Sequence, residues 1–131
     1  MKKQNLLILC IGLFFLCACK KVEGEGGSST IKGIITETKY SSAGTALYTF
    51  PSPDFDVYII YGSGSTFYND DIKTSYDGSF QFNYLQKGDY TVFIYEDCNT
   101  CPSGKKEILR STSITDNKST VDLGIINAKK L

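Results

Sequence analysis

From residue 31 onward, apolar or small residues recur at every second position in five separate runs. These are Ile31, Gly33 and Ile35; Phe55, Val57, Ile59 and Tyr61; Phe80, Phe82 and Tyr84; Tyr90, Val92 and Ile94; and Val121, Leu123 and Ile125. Period two sends successive side chains to opposite faces of an extended chain, so each run predicts a strand buried on one side. Between the runs stand Gly62-Ser63-Gly64, Asp77-Gly78 and Lys87-Gly88-Asp89, which supply the backbone freedom that tight connections require. Asp77-Gly78 is the clearest hairpin signal among them. No segment beyond Cys19 carries a 3.6-residue apolar period, and residues 108–114 add a further β-favouring run. The pattern predicts an all-β domain, a sandwich of about seven strands.

The longest stretch without alternation is YSSAGTALYTFPSPD, residues 40–54, where Pro51 and Pro53 forbid a central strand. It reads as an insertion loop with a short edge strand at residues 47–50. The alternation also assigns a second face. Tyr58, Phe93 and Tyr95 fall opposite the buried set, and nine Tyr with eight Phe exceed what one small core needs. If strands 55–61 and 90–96 are neighbours, those three rings form an exposed aromatic patch, suited to protein contacts or to stacking on sugar rings. The competing expectation is that residues 40–54 fold over this face and bury it.

The amino terminus has a different pattern. Lys2 and Lys3 precede an apolar run over residues 6–16 that ends in Leu16-Cys17-Ala18-Cys19. The run is shorter than the roughly 18 residues a spanning helix needs, and it reads as a cleavable leader. The tetrapeptide resembles the bacterial lipobox, with Leu16 at minus three, Ala18 at minus one and Cys19 as the modified cysteine; Cys17 departs from the usual residue at minus two. The resemblance implies residues 1–18 as signal peptide, cleavage before Cys19 and acylation there. Several acyl chains hold a protein to a membrane firmly. Lys20, where Asp is the usual inner-membrane retention signal, implies the outer membrane, on its periplasmic or its outer surface. Residues 20–29, KKVEGEGGSS, contain almost nothing apolar. Residues 19–29 are therefore expected to form the lipidated cysteine and a flexible tether, and residues 30–131 the sandwich.

Composition narrows the chemistry. Loss of Lys2 and Lys3 with the leader sets 12 basic against 14 acidic residues, a net charge of −2 that argues against nucleic acid. The chain has no His and no Trp. The commonest general base and the commonest metal ligand are thus missing. No Gly-rich phosphate loop and no recognisable carboxylate pair replace them, so the expectation is no catalysis and no cofactor.

Three segments carry a second resemblance: IKGIITE at 31–37, TSYDGSFQFNYLQKGDYTVFIY at 74–95 and STVDLGII at 119–126. They resemble the carboxypeptidase regulatory-like domains of prealbumin (transthyretin-like) type, through Ile31, Gly33, Ile35, Thr74, Asp77, Gly78, Phe80, Phe82, Leu85, Gly88 and Tyr90. The resemblance implies a seven-stranded Greek-key sandwich. It implies little about activity, since such modules accompany peptidases, surface proteins and transporters, and many stand alone as anchored lipoproteins.

Cys98-Asn99-Thr100-Cys101-Pro102 is the sharpest local motif. A redox site would need a following helix to lower the first thiol's pKa, and Pro102-Ser103-Gly104 rules one out. Structural zinc would need four ligands, and the chain offers two soft ones here. A local disulfide between Cys98 and Cys101 fits an exported domain. Asp54, Asp56, Asp70, Asp71 and Asp77 match no calcium loop, and Asp77 is accounted for as a turn residue. The expected partners are the membrane, through the lipid, and another envelope protein or a glycan, through Tyr58, Phe93 and Tyr95.

Overall fold

A computed structural model describes residues 22–131. The leader and Cys19 lie outside the described residues. Eight strands follow one another: β1 Glu25–Tyr40, β2 Ala46–Pro51, β3 Asp56–Tyr61, β4 Asp70–Lys73, β5 Ser79–Leu85, β6 Gly88–Asp97, β7 Lys105–Ile114 and β8 Thr120–Lys130. They build two sheets. In sheet A the long β1 is central: β8 runs parallel to it on one flank, while β5 and β2 pair antiparallel with its first and second halves on the other. Sheet B has the order β4-β3-β6-β7, antiparallel throughout. Three of the six strand pairs, β1 with β5, β1 with β8 and β3 with β6, join strands that are not neighbours in sequence, the long-range connections of a Greek-key sandwich.

The inward residues of both sheets form one core: Ile31, Ile35, Phe80, Phe82, Leu85, Ile126 and Ala128 from sheet A, against Val57, Ile59, Tyr90, Val92, Ile94 and Ile114 from sheet B. Gly33 sits where the Phe80 ring needs room, since a Cβ there would stand 2.8 Å from that ring. Tyr90 is buried with its hydroxyl satisfied, accepting from the Gly24 N–H at 3.0 Å and donating to the Gln86 carbonyl at 2.8 Å.

Two inward assignments change. Tyr84 is 73% exposed and Leu85 takes the core position; Ile125 is 65% exposed and Ile126 is fully buried. In each strand one extra residue, Tyr84 with φ 59° and Gly124 with φ 68°, adopts the left-handed conformation, and the pairing with β1 shifts there. A bulge reverses which parity faces inward for all residues beyond it.

Three further differences concern extent. The eighth strand, β4, is four residues, DDIK, too short and polar to show alternation. Residues 40–54 are no insertion over the aromatic face: β2 ends at Pro51 and lies at the side of sheet A. The fold also begins before Thr30. Glu23 packs on Gly88, where a Cβ would meet its side chain at 2.0 Å, and Gly27 leaves no room for a Cβ beside the Leu85 carbonyl. Gly27 thus serves close backbone approach, and residues 23–29 belong to the sandwich.

Candidate functional site

The outer face of sheet B is built by register. Antiparallel pairing sets Tyr58 of β3 beside Phe93 of β6, Phe93 beside Leu109 of β7, and Tyr58 beside Asp71 of β4. Cross-strand partners share a face, so one row reads Asp71, Tyr58, Phe93, Leu109. Tyr95, paired with Glu107, stands in the next row. The Tyr58 and Phe93 rings stack at 5.0 Å, and Tyr95 meets both edge-on, at 5.8 Å from Tyr58 and 5.6 Å from Phe93. The structure therefore brings the three expected residues together.

Their roles differ. Phe93, only 8% exposed, is the floor of the patch, whereas Tyr95 at 44% and Leu109 at 52% present apolar area to solvent. Partial cover comes from residues 62–69, the β3–β4 connection. This segment turns at Gly62, ties back through Asn69 to the Tyr61 N–H at 2.8 Å, and lays the Tyr68 ring 4.8 Å from Tyr58. Sequence reasoning missed Tyr68 and Leu109. Their signal was faint: Phe67 and Tyr68 are two adjacent aromatics inside a Gly/Ser loop, and Leu109 is a lone apolar residue in a polar strand.

Two shallow clefts flank the rings. One, about 260 Å³, runs between Ser65 and Thr66 of the loop and Phe93, Tyr95 and Leu109. The other, about 310 Å³, is lined by Asp54, Phe55, Asp56, Tyr58, Tyr95 and Lys105. Partial burial, then the neighbouring Asp56 carboxylate, pushes the Tyr58 hydroxyl above its ordinary pKa, so it remains a neutral donor at physiological pH. Lys73 bonds Asp56 at 2.8 Å, which holds the ammonium charged.

At one end of this face the β6–β7 hairpin carries the Cys98–Cys101 disulfide, with Cα atoms 5.4 Å apart. The Cys98 N–H donates to the Gly104 carbonyl at 2.9 Å. Asp97 bonds Lys105 at 2.6 Å and accepts the Leu131 N–H at 3.0 Å, and these hold its carboxyl below the usual carboxylate range. Among the described residues no group of three or more His, Cys, Asp or Glu is placed to hold a metal. A larger cleft of about 390 Å³, between Lys32, Asp122 and Lys73, contains no paired carboxylates; Lys32 and Asp122 face each other at 3.6 Å.

No protein-family model and no curated protein matches the chain. Two solved structures are similar in fold. One is a candidate carbohydrate-binding protein from Pseudomonas aeruginosa, 11% identical with a TM-score of 0.48, the match covering 86% of this chain and 92% of that one. The other is an (S)-allantoin synthase, 10% identical with a TM-score of 0.43, the match covering 79% of this chain and 42% of the synthase. Both likenesses concern the β-architecture.

Proposed function

We propose that this chain is a non-catalytic, lipid-anchored binding module of a bacterial cell envelope, acylated at Cys19 and held at the outer membrane. Its contact region is the outer face of sheet B, and its partner another envelope protein. Anchoring is supported by the leader and by Leu16-Cys17-Ala18-Cys19. The contact region is supported by one observation above all: Tyr58, Phe93, Tyr95 and Tyr68 gather on the side of the sheet that the core does not use. Tyr is among the side chains that concentrate binding energy at protein interfaces. The absence of His from the chain supports the non-catalytic reading.

A second reading, a carbohydrate-binding accessory module, is favoured by the cleft in which Tyr58 and Tyr95 stand beside Asp54 and Asp56. Aromatic faces next to carboxylate acceptors suit sugar rings. A photo-crosslinking amino acid at position 95 in the native membrane, with position 32 on sheet A as control, separates the readings. A discrete protein adduct from position 95, lost with Tyr58→Ala and absent from position 32, is the expected result. Equal labelling from both positions overturns the assignment of the face. Retention on a glycan array that Tyr95→Ala abolishes, with no protein adduct, favours the sugar.

A further inference from the structure

We infer that the end of the sandwich formed by Gly24, the β5–β6 turn and residues 115–119 rests against the lipid surface, leaving the disulfide hairpin as the membrane-distal tip. This rests on the anchoring reading above and adds an orientation to it.

Gly24 is fixed, its N–H bonded to the buried Tyr90 hydroxyl and its carbonyl accepting the Gln86 N–H at 2.8 Å. Cys19 is five residue steps away, and five steps of fully extended chain span at most about 18 Å. A tether of that reach cannot turn the domain over.

Pairing then sorts the rest of the molecule by height. Leu85 of β5 pairs with Ser29 near the start of β1, Gly88 pairs with Ile114, and the Lys118 N–H donates to Ser28 at 3.0 Å, so these all belong to the Gly24 end. Tyr48 pairs with Lys39, ten residues further along β1 than Ser29, or about 33 Å. Asp97, the last residue of β6, bonds the backbone of Leu131 just past the end of β8, which places the Cys98–Cys101 hairpin at the same far end.

The surface at the near end suits a bilayer headgroup region. Tyr84 is 73% exposed and Val22 67% exposed, and an amphipathic aromatic ring is favoured at that depth. Lys87 and Lys118 are exposed there against three exposed acidic residues, Glu25, Asp89 and Asp116, so the seating draws nothing from anionic lipid. The strained left-handed conformation of Tyr84 acquires a use: it aims the ring out of the core at the end nearest the anchor.

The chain has no Trp, so one introduced indole is a unique reporter. Tyr84→Trp, Tyr76→Trp and Tyr48→Trp, all at exposed positions, are made in the lipidated protein and reconstituted into vesicles containing a dansyl-headgroup lipid. Energy transfer is expected to be several-fold stronger from position 84 than from position 48, in zwitterionic and anionic vesicles alike. Position 76 should fall between them, since it lies in the turn whose Gly78 carbonyl accepts the Ile35 N–H, midway between Ser29 and Lys39. Equal transfer from positions 84 and 48, or none from any position, in protein whose intact mass shows the acyl chains overturns the orientation alone. A mature mass without acyl chains overturns the anchoring reading and the orientation with it.

Discussion

The two outward faces of this sandwich are built on the same backbone and solve opposite problems. On sheet A, apart from the exposed pair Ile34 and Ile125, the outward residues largely satisfy one another: Asn127 donates to Thr36 at 2.8 Å and accepts from Thr38 at 3.0 Å, Thr38 meets Thr49 at 2.7 Å, and Thr30 donates to Asn83 at 3.2 Å. On sheet B the corresponding positions hold Tyr58, Phe93, Tyr95 and Leu109. A polar ladder gains little from a partner, because its hydrogen bonds are already made. An aromatic row left half-covered keeps apolar area in contact with water, and covering that area is favourable. The contrast supports the proposed contact region more than any single residue does.

Truncating the floor of the aromatic row should produce the largest effect. Phe93→Ala removes a nearly buried ring and its stack on Tyr58, and is expected to cost about 3 kcal/mol in urea unfolding. Lys32→Ala on sheet A removes one exposed ion pair with Asp122, expected to cost under about 0.5 kcal/mol. Equal losses would erase the distinction between the faces. Tests of binding should therefore use Tyr58 and Tyr95, whose removal leaves the floor in place.

Reduction comes next in size. The disulfide closes a loop with a sequence separation of 3, and chain-entropy reasoning gives such a short crosslink about 1–2 kcal/mol. A reductant should lower the unfolding midpoint modestly, with amide exchange accelerating at residues 98–104 and not in the polar ladder of sheet A. Uniform acceleration across both sheets would show that the hairpin supports the whole fold.

Alkaline titration gives the smallest and most local effect. Burial, with Asp70 and Glu25 nearby, pushes Tyr61 at the end of β3 up to about 12. A folded pKa above the unfolded value of about 10 means that the unfolded chain releases its proton first. This contribution to stability is therefore full below about pH 10 and lost as pH rises through about 12. Tyr61→Phe should flatten the decline in unfolding free energy across that window; an unchanged slope would assign it to other groups.

Much of the fold was legible because alternation reports directly which side of a strand is apolar. The inward sets of β3 and β6 follow it, and so does the assignment of Tyr58, Phe93 and Tyr95 to one outer face. Where the reading failed, a local backbone event intervened. At Tyr84 and Gly124 a single left-handed residue inverts the parity, and only the pairing with β1 reveals it. Glu-Gly-Glu-Gly-Gly at residues 23–27 has the composition of a flexible linker, yet Gly27 lies against the Leu85 backbone and Glu23 fills the space over Gly88. Composition does not distinguish a glycine kept for freedom from one kept for lack of space.

By itself the chain's order of residues determined the β class, most of the inward-facing residues, the tight turn at Asp77-Gly78 and the candidate anchor at Cys19, since each depends on neighbours within a few positions. The hairpin expected at that turn does not form, because the strands on either side of it, β4 and β5, lie in different sheets. Tertiary structure alone decided what covers the aromatic face, where β1 begins and which end of the molecule Gly24 occupies. Those depend on contacts between segments tens of residues apart, such as the 66-residue separation between Gly24 and Tyr90. Local periodicity holds no information about which distant strand supplies the other side of a contact.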